Sequence, residues 1–222
     1  MSYTVVIADL HGMSNILDKA LEDVDKLNLD SYKLVFTGDY IDRGPDSLGV
    51  VSTVKKLVLS GKAVALKGNH EDLMVNAFNQ WWEYDPVGSP WWIPNGGDTT
   101  LNSYGYEWDS LARDALWMKN LPLYYQDTHR MYVHGFADPK QPDPMAFTGE
   151  TTMWDRYDKG EDLGWYGKHV VHGHTPVRKP ELLNNRTNLD TGAVFGRSLA
   201  VGIFDDGQAG GPVQMLEITG GA

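Results

Sequence analysis

Apolar residues in the first third of the chain come in short runs, and each run stops at a cluster of polar side chains. Residues 3–8 (Tyr-Thr-Val-Val-Ile-Ala) end at Asp9-Leu10-His11-Gly12, residues 33–36 end at Gly38-Asp39, and residues 62–66 end at Gly68-Asn69-His70-Glu71. Short runs of this kind, bounded by turn residues, predict strands. Ile16, Leu17, Ala20, Leu21, Val24 and Leu27 follow the first cluster at helical spacing, predicting a helix over 14–27 with Ser14 as its N-cap. Val50, Val51, Val54, Leu57 and Val58 predict a second helix through about 59, with Pro45 in its first turn. A third follows from about 71 to 80. A strand, a polar cluster and a helix, in that order three times, predict a βαβαβα unit with a parallel sheet. Functional groups of such sheets gather beyond the carboxyl ends of the strands, where all three clusters fall.

The pattern changes over 81–108. Trp81, Trp82, Trp91 and Trp92 are interleaved with Pro86, Pro90, Pro94 and Gly96-Gly97, which predicts a mostly irregular cap or loop. It reads as a hydrophobic lid packed on the core, or as an aromatic rim that contacts a peptide or stacks on a nucleobase. A helix is predicted around 108–119. The second half is strand-rich, with runs at 123–127, 130–134, 168–172, 180–183, 187–190, 198–204 and 213–218. No internal repeat or long linker interrupts the chain, so residues 1–222 are expected to form one domain carrying the 81–108 insertion.

Composition narrows the chemistry. The 222 residues include no cysteine, which excludes disulfides, zinc–thiolate sites and a cysteine nucleophile; a metal would need histidine, carboxylate or amide ligands. A formal net charge of -11 disfavours broad binding to long nucleic acid. No apolar run approaches the ~20 residues of a membrane span, and residues 1–8 lack a signal peptide's basic start. The expectation is an intracellular protein with no membrane partner.

Taken singly, the polar clusters are ordinary. Asp9 and His11 could be caps, Asp42 and Arg43 a turn with its own ion pair, Asn69 a helix cap, and His134, His172 and His174 buried histidines. Together they supply carboxylate, amide and imidazole groups in order, each at the end of an apolar run. Phosphate monoesters hydrolyse extremely slowly, and a pair of metal ions about 3.5–4 Å apart is one efficient solution. Such a pair needs a carboxylate that offers one oxygen to each ion, and neutral imidazoles. A nitrogen–oxygen set without sulfur suits manganese, iron or zinc.

The segments Ala8-Asp9-Leu10-His11-Gly12, Gly38-Asp39-Tyr40-Ile41-Asp42-Arg43-Gly44 and Gly68-Asn69-His70-Glu71 resemble the three signature motifs of the phosphoprotein phosphatases, a branch of the calcineurin-like metallophosphoesterases. His134 after Met131-Tyr132-Val133, Gly173-His174-Thr175-Pro176 and Asp190-Thr191-Gly192-Ala193 resemble its later elements, and the likeness to the lambda-phage and bacterial type runs over about 5 to 195. The resemblance implies an α/β fold of mixed sheets packed as a central sandwich flanked by helices, with the metal site at the strand ends. It implies that Asp9 and His11 bind one divalent ion, that Asp39 bridges two, and that Asn69, His134 and His174 bind the second, with manganese the expected metal. His70 would be the general acid, Asp42 its orienting partner, and Arg43 and Arg156 the phosphate clamps; a metal-bridging hydroxide would be the nucleophile. His172 is expected to lie behind the ligands, because Pro176 replaces the second histidine of the Gly-His-X-His form. Ala8 replaces the usual glycine of the first motif and removes no ligand.

The first expectation for activity is therefore a serine/threonine, or dual-specificity, protein phosphatase, monomeric and cytoplasmic in a bacterial or phage-infected cell. The alternatives are a diadenosine tetraphosphatase-like nucleotide hydrolase, an RNA-end or cyclic-nucleotide phosphodiesterase, and a non-catalytic binding module. The expected partners are a phosphorylated protein or a small phosphoester.

Overall fold

The computed structural model describes residues 1–81 and 89–220. The first half builds β1 (Ser2–Ile7), α1 (Ser14–Asp25), β2 (Ser31–Phe36), α2 (Ser47–Leu59), β3 (Ala63–Ala65) and α3 (Asn69–Trp81). After the cap come α4 (Gly97–Ser103) and α5 (Trp108–Lys119). The second half adds β4 (Tyr124–Gln126), β5 (Arg130–Val133), α6 (Gly149–Trp154), β6 (His169–His172), β7 (Glu181–Leu182), β8 (Arg186–Asn188), β9 (Leu199–Asp205) and β10 (Gln214–Ile218).

These strands form two five-stranded sheets, ordered β10-β9-β1-β2-β3 and β4-β5-β6-β8-β7. In each, three strands run parallel: β1, β2 and β3 in the first, β5, β6 and β8 in the second. Antiparallel strands complete both. Strand alternation shows how the layers pack. Val5 and Ile7 of β1 join Leu34 and Phe36 of β2 in the core under the helices. Val6 and Ala8 point the other way and join Val35, Tyr132 and Val171 in a core between the sheets. Met131, Val133 and Val170 close the far face against Tyr157 and Trp165. Central strands buried on both faces read as continuous apolar runs, which is why β1 was legible. This is the mixed-sheet α/β sandwich expected.

Local details depart from expectation. Ser14 is the first residue of α1 rather than its cap; Met13 occupies the cap position without a side-chain hydrogen bond. Pro45 lies ahead of α2, whose cap is Asp46, accepting from the Gly49 N–H at 2.9 Å. The 81–108 region is more regular than expected, holding a 3-10 turn at Ile93–Asn95 and α4. Gly97, Thr100 and Leu101 give α4 a buried face, but seven residues behind a Gly-Gly pair are too few to show a period. Helix α6 was missed for the same reason; Thr148 caps it. Residues 82–88, with Trp82 and Pro86, lie outside the described residues, as does the Trp81 side chain.

Candidate metal centre

The loops after the parallel strands of both sheets converge. From the first sheet come Asp9 and His11 after β1, Asp39, Asp42 and Arg43 after β2, and Asn69 and His70 after β3; from the second come His134 after β5 and His174 after β6. Two groups of metal-ligating type result: His11, Asp39 and His70, and Asp39, His134 and His174, with ligand atoms within 4.8 Å of one another in each. Asp39 is common to both. Its Oδ2 lies 3.4 Å from His11 Nε2 and its Oδ1 3.4 Å from His134 Nε2. Asp9 is held beside them by the His174 N–H, 3.1 Å from each carboxylate oxygen.

Backbone strain concentrates here. Nine non-glycine residues have positive φ among the described residues, and six are predicted site residues: Asp9 (38°), His11 (41°), Asp39 (56°), Asp42 (71°), Arg43 (70°) and His174 (66°). Left-handed backbone at such residues is costly, and persists where the surroundings over-determine it. The loops also approach very closely. A Cβ on Gly68 would fall 2.2 Å from Asp39 Oδ1, and one on Gly173 would fall 2.0 Å from Asp9 Oδ1. Only glycine admits these contacts.

Hydrogen bonding sets the tautomers. His11 Nδ1 is 2.8 Å from the Ile41 carbonyl, His134 Nδ1 is 2.9 Å from that of Thr37, and His174 Nε2 is 3.2 Å from that of Trp154. Each ring donates its proton outward to a backbone oxygen, the arrangement that orients a metal-binding histidine. Burial depresses the pKa of all three, to about 3 for His11 and His174, so the rings are neutral and the inward nitrogens carry lone pairs. His134 Nε2 and His174 Nδ1 then face Asn69 Oδ1, at 2.9 and 3.0 Å. Three lone pairs converging at such distances repel, and a cation among them relieves that repulsion. The donor set fits a divalent metal. Burial pushes the Asp39 carboxyl upward, but the charge that His134, His70, His11 and His174 take up in the acid range outweighs this and holds its pKa below the usual carboxylate range.

His70 differs from these three. Its Nδ1 sits 2.7 Å from Asp42 Oδ2, and although burial opposes protonation, Asp39 and the bonded Asp42 raise its pKa. Arg43 Nη1 is 2.8 Å from His11 Nε2, and Arg156 Nη1 donates to the His174 carbonyl at 2.9 Å. The two guanidinium groups thus stand at the His11 and His174 sides. His172 lies behind the cluster, its Nε2 2.9 Å from Arg186 Nη1.

Several supporting residues escaped the sequence reading. Glu71 accepts from the N–H groups of Asp39, Tyr40 and Gly68 at 2.8, 2.8 and 2.9 Å, tying the second and third loops together. Burial, then the charge on Asp39, raises its pKa to about 7. Asp42 Oδ1 accepts from Trp92 Nε1 at 3.0 Å and Thr100 Oγ1 at 2.6 Å. Trp92 is fully buried, so this tryptophan follows the lid reading, whereas Trp91 is 71% exposed. Asp190 shares a hydrogen bond with Asp9, and burial, then Asp39, lifts its pKa to about 6. Glu71 and Asp190 stood inside recognised motifs; Trp92 and Thr100 gave no signal, because their partner is fifty or more residues away.

Comparison with known proteins agrees with this geometry. A sequence model of the calcineurin-like phosphoesterases matches residues 3–179. The bis(5'-nucleosyl)-tetraphosphatase PrpE (asymmetrical) of Anoxybacillus flavithermus is 30% identical, over 87% of each chain. Serine/threonine-protein phosphatase 1 of Salmonella typhimurium is 28% identical, over 88% of this chain and 89% of its own. A crystal structure of a putative diadenosine tetraphosphatase superposes with a TM-score of 0.71 at 20% identity, covering 98% of this chain and 93% of its own. Motifs, fold and clustered donors lead to one conclusion: the chain belongs to the calcineurin-like phosphoesterase family.

Proposed function

We propose that this protein is a divalent-metal-dependent hydrolase of dinucleoside polyphosphates. The observation that carries the substrate class is the 30% identity to an asymmetrical bis(5'-nucleosyl)-tetraphosphatase, extending over 87% of both chains. This reading moves the nucleotide hydrolase ahead of the protein phosphatase. The 28% identical serine/threonine phosphatase supports the latter as the second reading.

In this proposal Asp9, His11 and Asp39 would hold one ion, and Asp39, Asn69, His134 and His174 the other. Such a pair polarises phosphoryl oxygens and makes water a competent nucleophile near neutral pH. Arg43 and Arg156 bind the remaining phosphoryl oxygens through planar, paired N–H donors. His70 keeps its Nδ1 proton on Asp42 Oδ2 and delivers the Nε2 proton to the departing oxygen. The raised pKa of His70 supports that role, as the depressed values of the other three rings support ligation.

The test is turnover of diadenosine tetraphosphate, a phosphoserine peptide and a cyclic nucleotide by purified protein with added manganese, with products separated by ion exchange. AMP plus ATP as the dominant products is the expected outcome. Faster turnover of the phosphopeptide would transfer the assignment to the second reading.

A further inference from the structure

Phe195 is a large apolar side chain standing in solvent beside the phosphate-binding arginine. It closes the 3-10 turn Ala193–Phe195, is 57% exposed, and has its ring centroid 5.8 Å from the Arg43 guanidinium. The turn is rigidly joined to the site. Gly192 and Gly196 flank it with φ of 72° and 78°, and the Gly192 N–H donates to Asp190 Oδ1 at 2.9 Å, the carboxyl that also bonds Asp9. Thr191 Oγ1 donates to the Ser198 carbonyl at 2.6 Å and accepts from the Ala200 N–H at 3.1 Å, anchoring the turn to β9. The ring packs back on its own turn: a Cβ on Gly192 would come within 3.1 Å of the Phe195 ring and 3.4 Å of Arg197 Nη1. An aromatic ring is therefore held at a fixed place, mostly in water, next to a guanidinium that reaches His11 at 2.8 Å. The His11 ring in turn lies 4.6 Å from that of His70, so Phe195 joins the site through Arg43 and His11.

We propose that the exposed ring of Phe195 is the stacking platform for a nucleobase of the substrate, an inference that rests on the nucleotide reading and names the residue that distinguishes a nucleotide from a simple phosphate. A phosphate held by Arg43 carries its base one ribose away, and a ring fixed beside that arginine is placed to receive it. Every base has a π-face, so the platform selects nucleotides over plain phosphoesters without selecting one base. The guanidinium lies 5.8 Å from the ring centroid, and the 57% exposure of Phe195 leaves ring surface that a base could cover.

The experiment compares wild type with Phe195→Ala, Phe195→Trp and Phe195→Leu, all loaded with manganese. One readout is kcat/KM for diadenosine tetraphosphate. The other is inhibition of p-nitrophenyl phosphate hydrolysis by AMP and by inorganic phosphate, which share the phosphate but not the base. Phe195→Ala is expected to weaken AMP inhibition about tenfold more than phosphate inhibition, with Trp restoring the difference and Leu failing to. Parallel weakening of both inhibitors would mean that Phe195 acts only by positioning Arg43, and would overturn the platform, as would no change in either. Failure of the wild type to cleave diadenosine tetraphosphate is a separate result: it sinks the tetraphosphatase reading, while the AMP-to-phosphate ratio still decides whether a base binds here.

Discussion

The two sheets resemble each other in plan and differ in how the chain connects their strands. Each has three parallel strands whose carboxyl ends feed the site, and antiparallel strands alongside. In the first sheet α1 and α2 link the parallel strands; the loops before them deliver carboxylates and His11, and the first turn of α3 delivers the Asn69 amide and His70. In the second, β5, β6 and β8 are joined by long stretches with little regular structure, and the ends deliver His134, His174 and Asp190. The lesson is a division of labour: one sheet supplies most of the negative charge, and the other supplies neutral nitrogen donors across the gap. Neither sheet builds the centre alone. Asn69 of the first meets both imidazoles of the second, and Asp39 reaches imidazoles on each side.

That comparison breaks most severely at Asp39. Asp39→Asn is expected to lower turnover at least about a thousandfold and to reduce bound manganese at both positions, read by plasma mass spectrometry. Retention of two tightly bound ions would show that the sheets hold their metals independently. His70→Asn comes next, because the proposed acid and its partner Asp42 both belong to the first sheet. We expect about a hundredfold loss of kcat with metal content preserved, shrinking for nitrophenyl esters, which need less protonation. An equal penalty for all leaving groups would remove the acid role.

Arg130 tests the mechanical link between the sheets. It starts β5, is fully buried, and donates to the carbonyls of Asp205, Gln208 and Gly210 at 3.0, 2.7 and 3.1 Å, in the turn joining β9 to β10. Arg130→Met strands those carbonyls and is expected to cost about 2 kcal/mol, measured by urea unfolding. Trp92→Phe keeps the packing but removes the donor to Asp42, and should lower kcat about tenfold while sparing metal content. The smallest effect is expected at His169, in β6 of the second sheet. Burial, then the charge on Arg130, lowers its pKa from 6.5, so the folded chain holds the ring neutral while the unfolded chain takes a proton more readily. Stability should therefore fall as pH drops below 6.5, and His169→Gln should remove part of that fall, a difference of tenths of a kcal/mol between urea midpoints at pH 7.5 and 5.5.

How legible each region was follows from the same contrast. Strand β1 and helix α1 could be read because Val5, Val6 and Ile7 form a continuous run and Ile16, Leu17, Ala20 and Val24 share one face. The strands of the second half were legible as short runs, but α6, at six residues, fell below any detectable period. The candidate donors could be named because motif spacing survives whatever the loops do. Their supports could not: Trp92 and Thr100 meet Asp42 across 50 and 58 residues, and only folding makes them neighbours.

By itself the sequence determined the kinds of donor present, their order along the chain, the absence of sulfur ligands and the alternation that buries both faces of β1. Tertiary structure alone decided that Asp39 is shared between two groups of donors, that burial lowers the pKa of three imidazoles while Asp39 and Asp42 raise that of His70, and that Phe195 stands beside Arg43. The physical reason is that residue type and spacing are local properties. Protonation, lone-pair direction and distance belong to the space between chain segments, where burial and neighbouring charge are settled only after the two sheets have packed.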